Sequence, residues 1–163
     1  MKISIKKYRK TDFDELNDCL CQLQDFLVKI DPLARLRRAP DYSPEYTKNL
    51  IDKTEKQNGV IFLAYGGGKV VGFIAGIIDE QSKKNLLECV PTKAGRIVEL
   101  YVSEAYRSAG IGQQLMEKME DYMKKKKCDV LRVEVFEPNK TAHQFYCKLR
   151  YQNRMIDMIK PLK

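Results

Sequence analysis

The 163 residues include no tryptophan, a single histidine (His143) and no apolar run long enough to cross a bilayer. One histidine leaves little to build a zinc site from, and none is expected. The five cysteines, Cys19, Cys21, Cys89, Cys128 and Cys147, are odd in number and contain no C-x-x-C pair. Cys19 and Cys21 lie two apart on a predicted helix, where side chains diverge too far to share a bridge or a metal. They read as reduced thiols, as in a cytoplasm. The opening Met1-Lys2-Ile3-Ser4-Ile5-Lys6-Lys7 lacks the apolar stretch and small-residue cleavage site of a secretory signal. A cytoplasmic protein without membrane attachment is expected. No repeat, low-complexity tract or linker divides the chain. Residues 1–163 are expected to form one domain, long enough to bury a core without disulfides or a structural metal.

What is present is charge, 32% of the residues with a formal net of +8. Such a balance suits nucleic acid, anionic membranes and phosphate-bearing cofactors alike. The densest run, Lys124-Lys125-Lys126-Lys127, ends a predicted helix, where lysines complement the negative end of the dipole. No aromatic residues interleave with it as a base-stacking platform requires, which argues against nucleic acid.

Periodicity alternates between strand and helix. Residues 2–8 read as a strand. Asp12-x-x-Glu15 offers a capping box, after which Leu16, Leu20, Leu23 and Leu27 recur at helical spacing. Ser43-Pro44 would cap and open a second helix to about Gln57. Val60–Tyr65 and Val70–Ile78, joined by Gly66-Gly67-Gly68-Lys69, form a hairpin, because a strand and not a helix follows the glycines. A polar loop covers Asp79–Lys93. Then come a strand over Arg96–Val102, a helix over Gly110–Lys127, a strand over Val130–Phe136, a helix over Asn139–Leu149 and a last strand over Met155–Ile159. The order β-α-α-β-β-β-α-β-α-β implies an α/β fold with a mixed sheet and helices on both faces.

The chemistry concentrates where the Arg96–Val102 strand turns into a helix through Arg107-Ser108-Ala109-Gly110-Ile111-Gly112. Glycines let the backbone approach a ligand, and a helix start offers free N–H groups to a pyrophosphate. Alone, Arg-x-x-Gly-x-Gly could equally be a glycine-softened helix entry. A dinucleotide fold fits less well, because Gly-x-Gly-x-x-Gly is absent.

With the segment Asn139-Lys140-Thr141-Ala142-His143-Gln144-Phe145-Tyr146-Cys147-Lys148-Leu149-Arg150-Tyr151, this stretch resembles the GCN5-related N-acetyltransferase (GNAT) family. That family has Arg/Gln-x-x-Gly-x-Gly/Ala followed, after a strand, by Asn-(x)n-Ala-x-x-Phe-Tyr-x-x-Leu-Gly-Phe. The resemblance covers nearly the whole chain and implies a mainly antiparallel sheet flanked by helices. It implies acetyl transfer from acetyl-CoA directly to a primary amine of a small molecule or peptide, with no metal. It assigns CoA contacts to Leu100, Tyr101 and Val102 along the strand, to Arg107, Ser108, Ala109, Gly110, Ile111 and Gly112 in the loop, and to Asn139, which would serve equally as an N-cap. Tyr146 matches the general acid to the CoA thiolate. Glu99 matches a carboxylate that takes up the amine proton through water, or only attracts the ammonium. Splaying of the Arg96–Val102 and Val130–Phe136 strands would make the slot. Tyr42, Tyr46 and Arg35–Arg38 fall where relatives shape the acceptor pocket, and His143 reads as a helix-surface residue. Relatives often pair, so a homodimer is open. Arg150 departs from the family glycine, at a cost of about 1 kcal/mol if the left-handed turn is kept. The alternative reading is a non-catalytic acyl-CoA-binding sensor or scaffold module.

Overall fold

The computed structural model describes residues 2–162. Its elements are β1 (Ile3–Lys7), α1 (Phe13–Ile30), α2 (Tyr42–Lys56), β2 (Val60–Gly66), β3 (Lys69–Asp79), α3 (Asn85–Glu88), β4 (Ala94–Val102), α4 (Ile111–Lys125), β5 (Val130–Val133) and α5 (Lys140–Lys148). The strands form one sheet in the order β1-β2-β3-β4-β5, antiparallel except for the parallel β4–β5 pair. β2 and β3 read as almost unbroken apolar runs because helices cover both of their faces. Their two-residue turn needs positive φ at both positions, and Gly67 and Gly68 take 59° and 81°.

Two cores result. On one face, Leu16 and Leu20 of α1 and Leu50 of α2 bury against Ile61, Leu63, Phe73, Ala75 and Tyr101. On the other, Ile111, Leu115, Met116, Met119 and Met123 of α4 and Tyr146 of α5 bury against Val60, Phe62, Ile74 and Ile97.

The expected mixed α/β fold, mainly antiparallel with helices on both faces, is what the chain adopts. Local expectations fare unevenly. Met155–Ile159 is not a strand; beyond Tyr151 the described residues form neither helix nor strand. The parallel pairing that defines β5 stops at Val133, short of the expected Phe136. Asp12 precedes α1 but does not cap it. Its carboxylate instead accepts the Arg9 backbone N–H at 2.8 Å and the Arg9 guanidinium at 3.1 Å. Ser43 has the extended backbone of a cap (φ −108°, ψ 131°), yet its hydroxyl bonds Asn17 at 2.7 Å.

Arg150 does take the left-handed conformation, φ 68°. The Tyr151 N–H reaches the Tyr146 carbonyl at 3.0 Å and the Arg150 N–H reaches that of Cys147 at 2.9 Å, the two bonds of a Schellman turn. The turn keeps its shape without the glycine.

Candidate active site

β4 runs with β5 only from Ala94 to Ile97. Beyond Ile97 the two chains part, and a slot of about 150 Å³ opens between them. It is lined by Val98, Glu99 and Leu100 of β4, by residues 133–136, by Asn139, Ala142 and Tyr146, and by Leu23 and Leu27 from α1. A larger hollow of about 690 Å³ lies near the Asp79 end of β3. Of its carboxylates, Asp79 pairs with Arg96 and Asp129 accepts the Lys93 N–H, and no tyrosine is among its lining residues.

A β-bulge decides where Glu99 faces. Ala75 pairs with Glu99 and Gly76 with Ile97, so Val98 is the extra residue. Ile97 and Leu100 pack with the α4–α5 core, whereas Val98 packs with the α1–α2 core. Simple alternation would return Glu99 to the α4–α5 side. The bulge holds it toward α2, where the Tyr46 hydroxyl donates a short hydrogen bond to its carboxylate. Tyr42 stacks on Tyr46, with ring centroids 4.8 Å apart. Burial raises the Glu99 pKa above the usual carboxylate range, and the Tyr46 bond and the Lys53 charge act against the rise. Tyr46 itself is pushed up, by burial first and then by Glu99, so it keeps the proton it donates.

Tyr146 is buried, its ring edge-on to Phe145 at 5.3 Å and to Tyr151 at 5.5 Å. Burial, then the Glu99 charge, raises its pKa, so the phenol stays protonated at neutral pH. Asn139 is the N-cap of α5, its side chain accepting the Ala142 N–H at 3.2 Å, and it also borders the slot. His143 lies on α5, 2.7 Å from the Asn153 side chain, and does not line the slot.

The loop continues from the same strand. Gly110 caps α4 in the left-handed conformation, φ 75°, and Ser108 is also left-handed at φ 64°. The N–H groups from Ser108 to Gln113 donate to no backbone acceptor among the described residues, and α4 has neither a side-chain cap nor an acidic residue in its first turn. Residues 107–110 are exposed. A turn with free donors, open to solvent at the positive end of a 15-residue helix, fits the diphosphate of CoA. Arg107 is partly spent on structure: its Nε–H donates to the Val102 carbonyl at 3.1 Å, and the guanidinium lies over the Phe26 ring at 5.1 Å. Gly112 serves packing. A Cβ there would sit 3.3 Å from the Phe145 ring and 3.9 Å from Val102.

Of the three strand residues, Leu100 alone lines the slot with its side chain. Tyr101 turns the other way and donates to Gln22 at 2.9 Å, so only its backbone is left for a ligand. Val102 packs beside the loop. Sequence reasoning placed Tyr46 only in a region; the usable signal was Tyr42 and Tyr46 at i, i+4. Leu23 and Leu27 carry the same helical period as the buried Leu16 and Leu20, and nothing in the spacing separates wall from core.

Comparison with known proteins bears on the family and the fold. The model of the acetyltransferase (GNAT) family matches residues 25–150. An uncharacterized N-acetyltransferase of Methanocaldococcus jannaschii is 25% identical over 128 residues, which cover 78% of this chain and 74% of that protein. A tetramutant of the BH1408 protein of Bacillus halodurans shares the fold with a TM-score of 0.82 at 20% identity, over 98% of this chain and 99% of that one. AAC(6')-Iy, solved with the bisubstrate analog CoA-S-monomethyl-acetylneamine, does so at 0.74 and 15% identity, over 99% of each chain. No helix among the described residues is long and apolar enough to cross a membrane. The chain belongs to the acetyltransferase (GNAT) family and is an acetyl-CoA-dependent N-acetyltransferase.

Proposed function

We propose that the chain, acting as a single domain in the cytoplasm, transfers the acetyl group of acetyl-CoA directly to a primary amine of a small molecule or peptide. The observation that carries the reading is that Glu99 of β4 and Tyr146 of α5 line the same slot. Acetyl-CoA supplies the activated acyl group. The free N–H groups from Ser108 to Gly112 and the positive end of α4 hold its diphosphate, with Arg107 adding charge. The unpaired edge of Leu100, Tyr101 and Val102 takes the pantetheine arm, and Asn139 borders it.

An amine with a pKa near ~10.4 arrives protonated and must lose that proton to attack. Glu99 attracts the ammonium and accepts the proton, directly or through water. Its raised pKa brings it closer to neutrality, which suits a base. Tyr46 orients the carboxylate, and the stacked Tyr42–Tyr46 pair offers aromatic faces to a cationic acceptor. Tyr146, protonated and buried, gives its proton to the departing thiolate.

The test is thiol release from acetyl-CoA against a panel of amines, wild type beside Tyr146→Phe. Loss of an acid is expected to lower kcat by about 100-fold or more while CoA still binds. Unchanged turnover would remove Tyr146 from its role. CoA binding without thiol release by the wild type on any amine would favour a sensor or scaffold module.

A further inference from the structure

A chain whose described helices do not span a bilayer can still lie on one, held by apolar side chains that enter it and lysines that meet its headgroups. The end of the sheet opposite the Arg107–Gly112 turn carries both. Between β3 and β4, Leu86, Leu87 and Val90 are 45%, 87% and 77% exposed. Single exposed apolar residues are ordinary, but three so close together form a patch. The loop that carries them is tied shut. The Gln81 side-chain amide donates to the Val90 carbonyl at 3.1 Å and accepts the Thr92 N–H at 2.6 Å, closing the two ends of the loop on each other. The Ser82 hydroxyl accepts the Asn85 N–H at 3.1 Å, which fixes the turn ahead of Leu86 and Leu87.

Lysines gather beside this patch. Lys83, Lys84 and Lys93 belong to the loop, Lys124–Lys127 end α4, and all are exposed. Hydrogen bonds fasten the two groups together. The Lys93 ammonium donates to the Lys126 carbonyl at 2.7 Å, the Lys93 N–H to the Asp129 carboxylate at 2.7 Å, and the Asp129 N–H to the Lys93 carbonyl at 2.8 Å. Leu86, Lys93 and Lys126 accordingly border the same hollow. Acids are fewer. Glu80 and Glu88 stand on the loop and Asp129 is held in the bonds just given. Glu120 and Asp121 lie a turn back along α4, with Glu120 against Lys124 at 3.8 Å. Lys127 takes the left-handed conformation, φ 59°, where glycine is the easier residue, so a positive charge stands where backbone chemistry alone does not favour it.

We propose that this end of the molecule docks on the surface of an anionic lipid membrane, with Leu87 and Val90 entering below the headgroups and the flanking lysines meeting the lipid anions. Charge and apolarity side by side select that partner. A nucleic acid would meet the lysines but leave Leu87 and Val90 unused, and the loop has no aromatic residue to stack on a base. An anionic bilayer uses both at once. Docking there leaves the cofactor turn free. α4 starts at that turn and ends at the lysines, and its 15 residues set the two about 22 Å apart. The slot opens beyond Ile97, along β4 away from Lys93 and Ala94, so it too lies outside the docked surface. The sequence offers no bilayer-spanning run, which is why it suggests no membrane attachment; surface docking needs none.

Co-sedimentation of the full chain with lipid vesicles tests this. Vesicles of phosphatidylserine and phosphatidylcholine in equal parts are expected to carry the protein down, and vesicles of phosphatidylcholine alone to leave it in solution. Each lysine near an anionic surface multiplies partitioning about fivefold, so Lys125→Gln with Lys126→Gln lowers it on the order of twentyfold. Lys2→Gln with Lys69→Gln removes the same charge at the opposite end of the sheet and leaves partitioning nearly unchanged. Leu87→Gln keeps every charge and, at so exposed a residue, the native circular dichroism spectrum; it lowers partitioning about tenfold while elution from heparin stays as in wild type. Failure to bind the anionic vesicles, equal binding to both kinds, or a Lys125/Lys126 variant no weaker than the Lys2/Lys69 control would each overturn the proposal. So would a Leu87→Gln protein that binds vesicles as wild type does, which would leave only a general surface for polyanions such as nucleic acid.

Discussion

Removing one hydroxyl, in Tyr46→Phe, is expected to move the acid limb of the pH–rate profile upward. Glu99 has its pKa raised by burial, and the Tyr46 bond and Lys53 oppose that rise. A hydrogen bond to a charged group contributes about 1.5–3 kcal/mol. Glu99 is only half-buried, so water recovers part of the loss. Roughly 1–1.5 kcal/mol then remains, close to one pKa unit at about 1.36 kcal/mol per unit. The sign follows from which form the bond favours. Tyr46 donates to the carboxylate, so its removal disfavours ionisation and the limb shifts to higher pH. The assay is kcat/KM for thiol release against pH, with one acceptor from the amine panel. The acceptor's own ionisation contributes equally to both enzymes, so the difference between the two profiles isolates Glu99. Glu99→Gln, which cannot ionise, should lose most of its rate and abolish that difference when combined with Tyr46→Phe. A limb that stays in place or moves to lower pH would refute both the hydrogen bond's role and Glu99 as the base.

Two further outcomes concern stability. Arg150→Gly relieves a left-handed residue and is expected to raise the free energy of urea unfolding by about 1 kcal/mol, with activity unchanged. Asp12→Asn should lower the thermal midpoint at neutral pH. Burial pushes the Asp12 carboxyl up, but the bonds from Arg9 and Thr11 outweigh this and hold it below its ordinary value. A depressed folded pKa stabilises above the unfolded value of about 3.9, and that contribution is lost as pH falls through the folded one. The gap between wild type and variant should therefore close on acidification.

The sequence made the loop and the Tyr146 helix legible because both depend on local chemistry. Positive φ at Gly110 and the i, i+3, i+4 spacing of Ala142, Phe145 and Tyr146 are decided within a few residues. Glu99 was legible as a strand carboxylate, but its direction was not. The bulge at Val98 is a fault in pairing with β3, and pairing depends on residues more than twenty positions away. Tyr46 escaped assignment for the same reason, since its partner lies 53 residues on. The missing last strand is a different kind of failure. Met155-Ile156-Asp157-Met158-Ile159 has strand composition, yet a strand exists only beside another, and this segment pairs with none of the described strands.

The close approach of Gly112 to Phe145 ties two distant jobs together. Phe145 precedes Tyr146 and packs against its ring, so the start of α4 presses almost directly on the neighbour of the proposed proton donor. A diphosphate that drew the α4 terminus inward by about a few tenths of an ångström would press on the ring that packs edge-on against Tyr146. On the proposed reading, the loop that grips the cofactor and the helix that carries the acid meet in one packed contact. A bulkier residue at 112 would blunt turnover by displacing an atom it never touches.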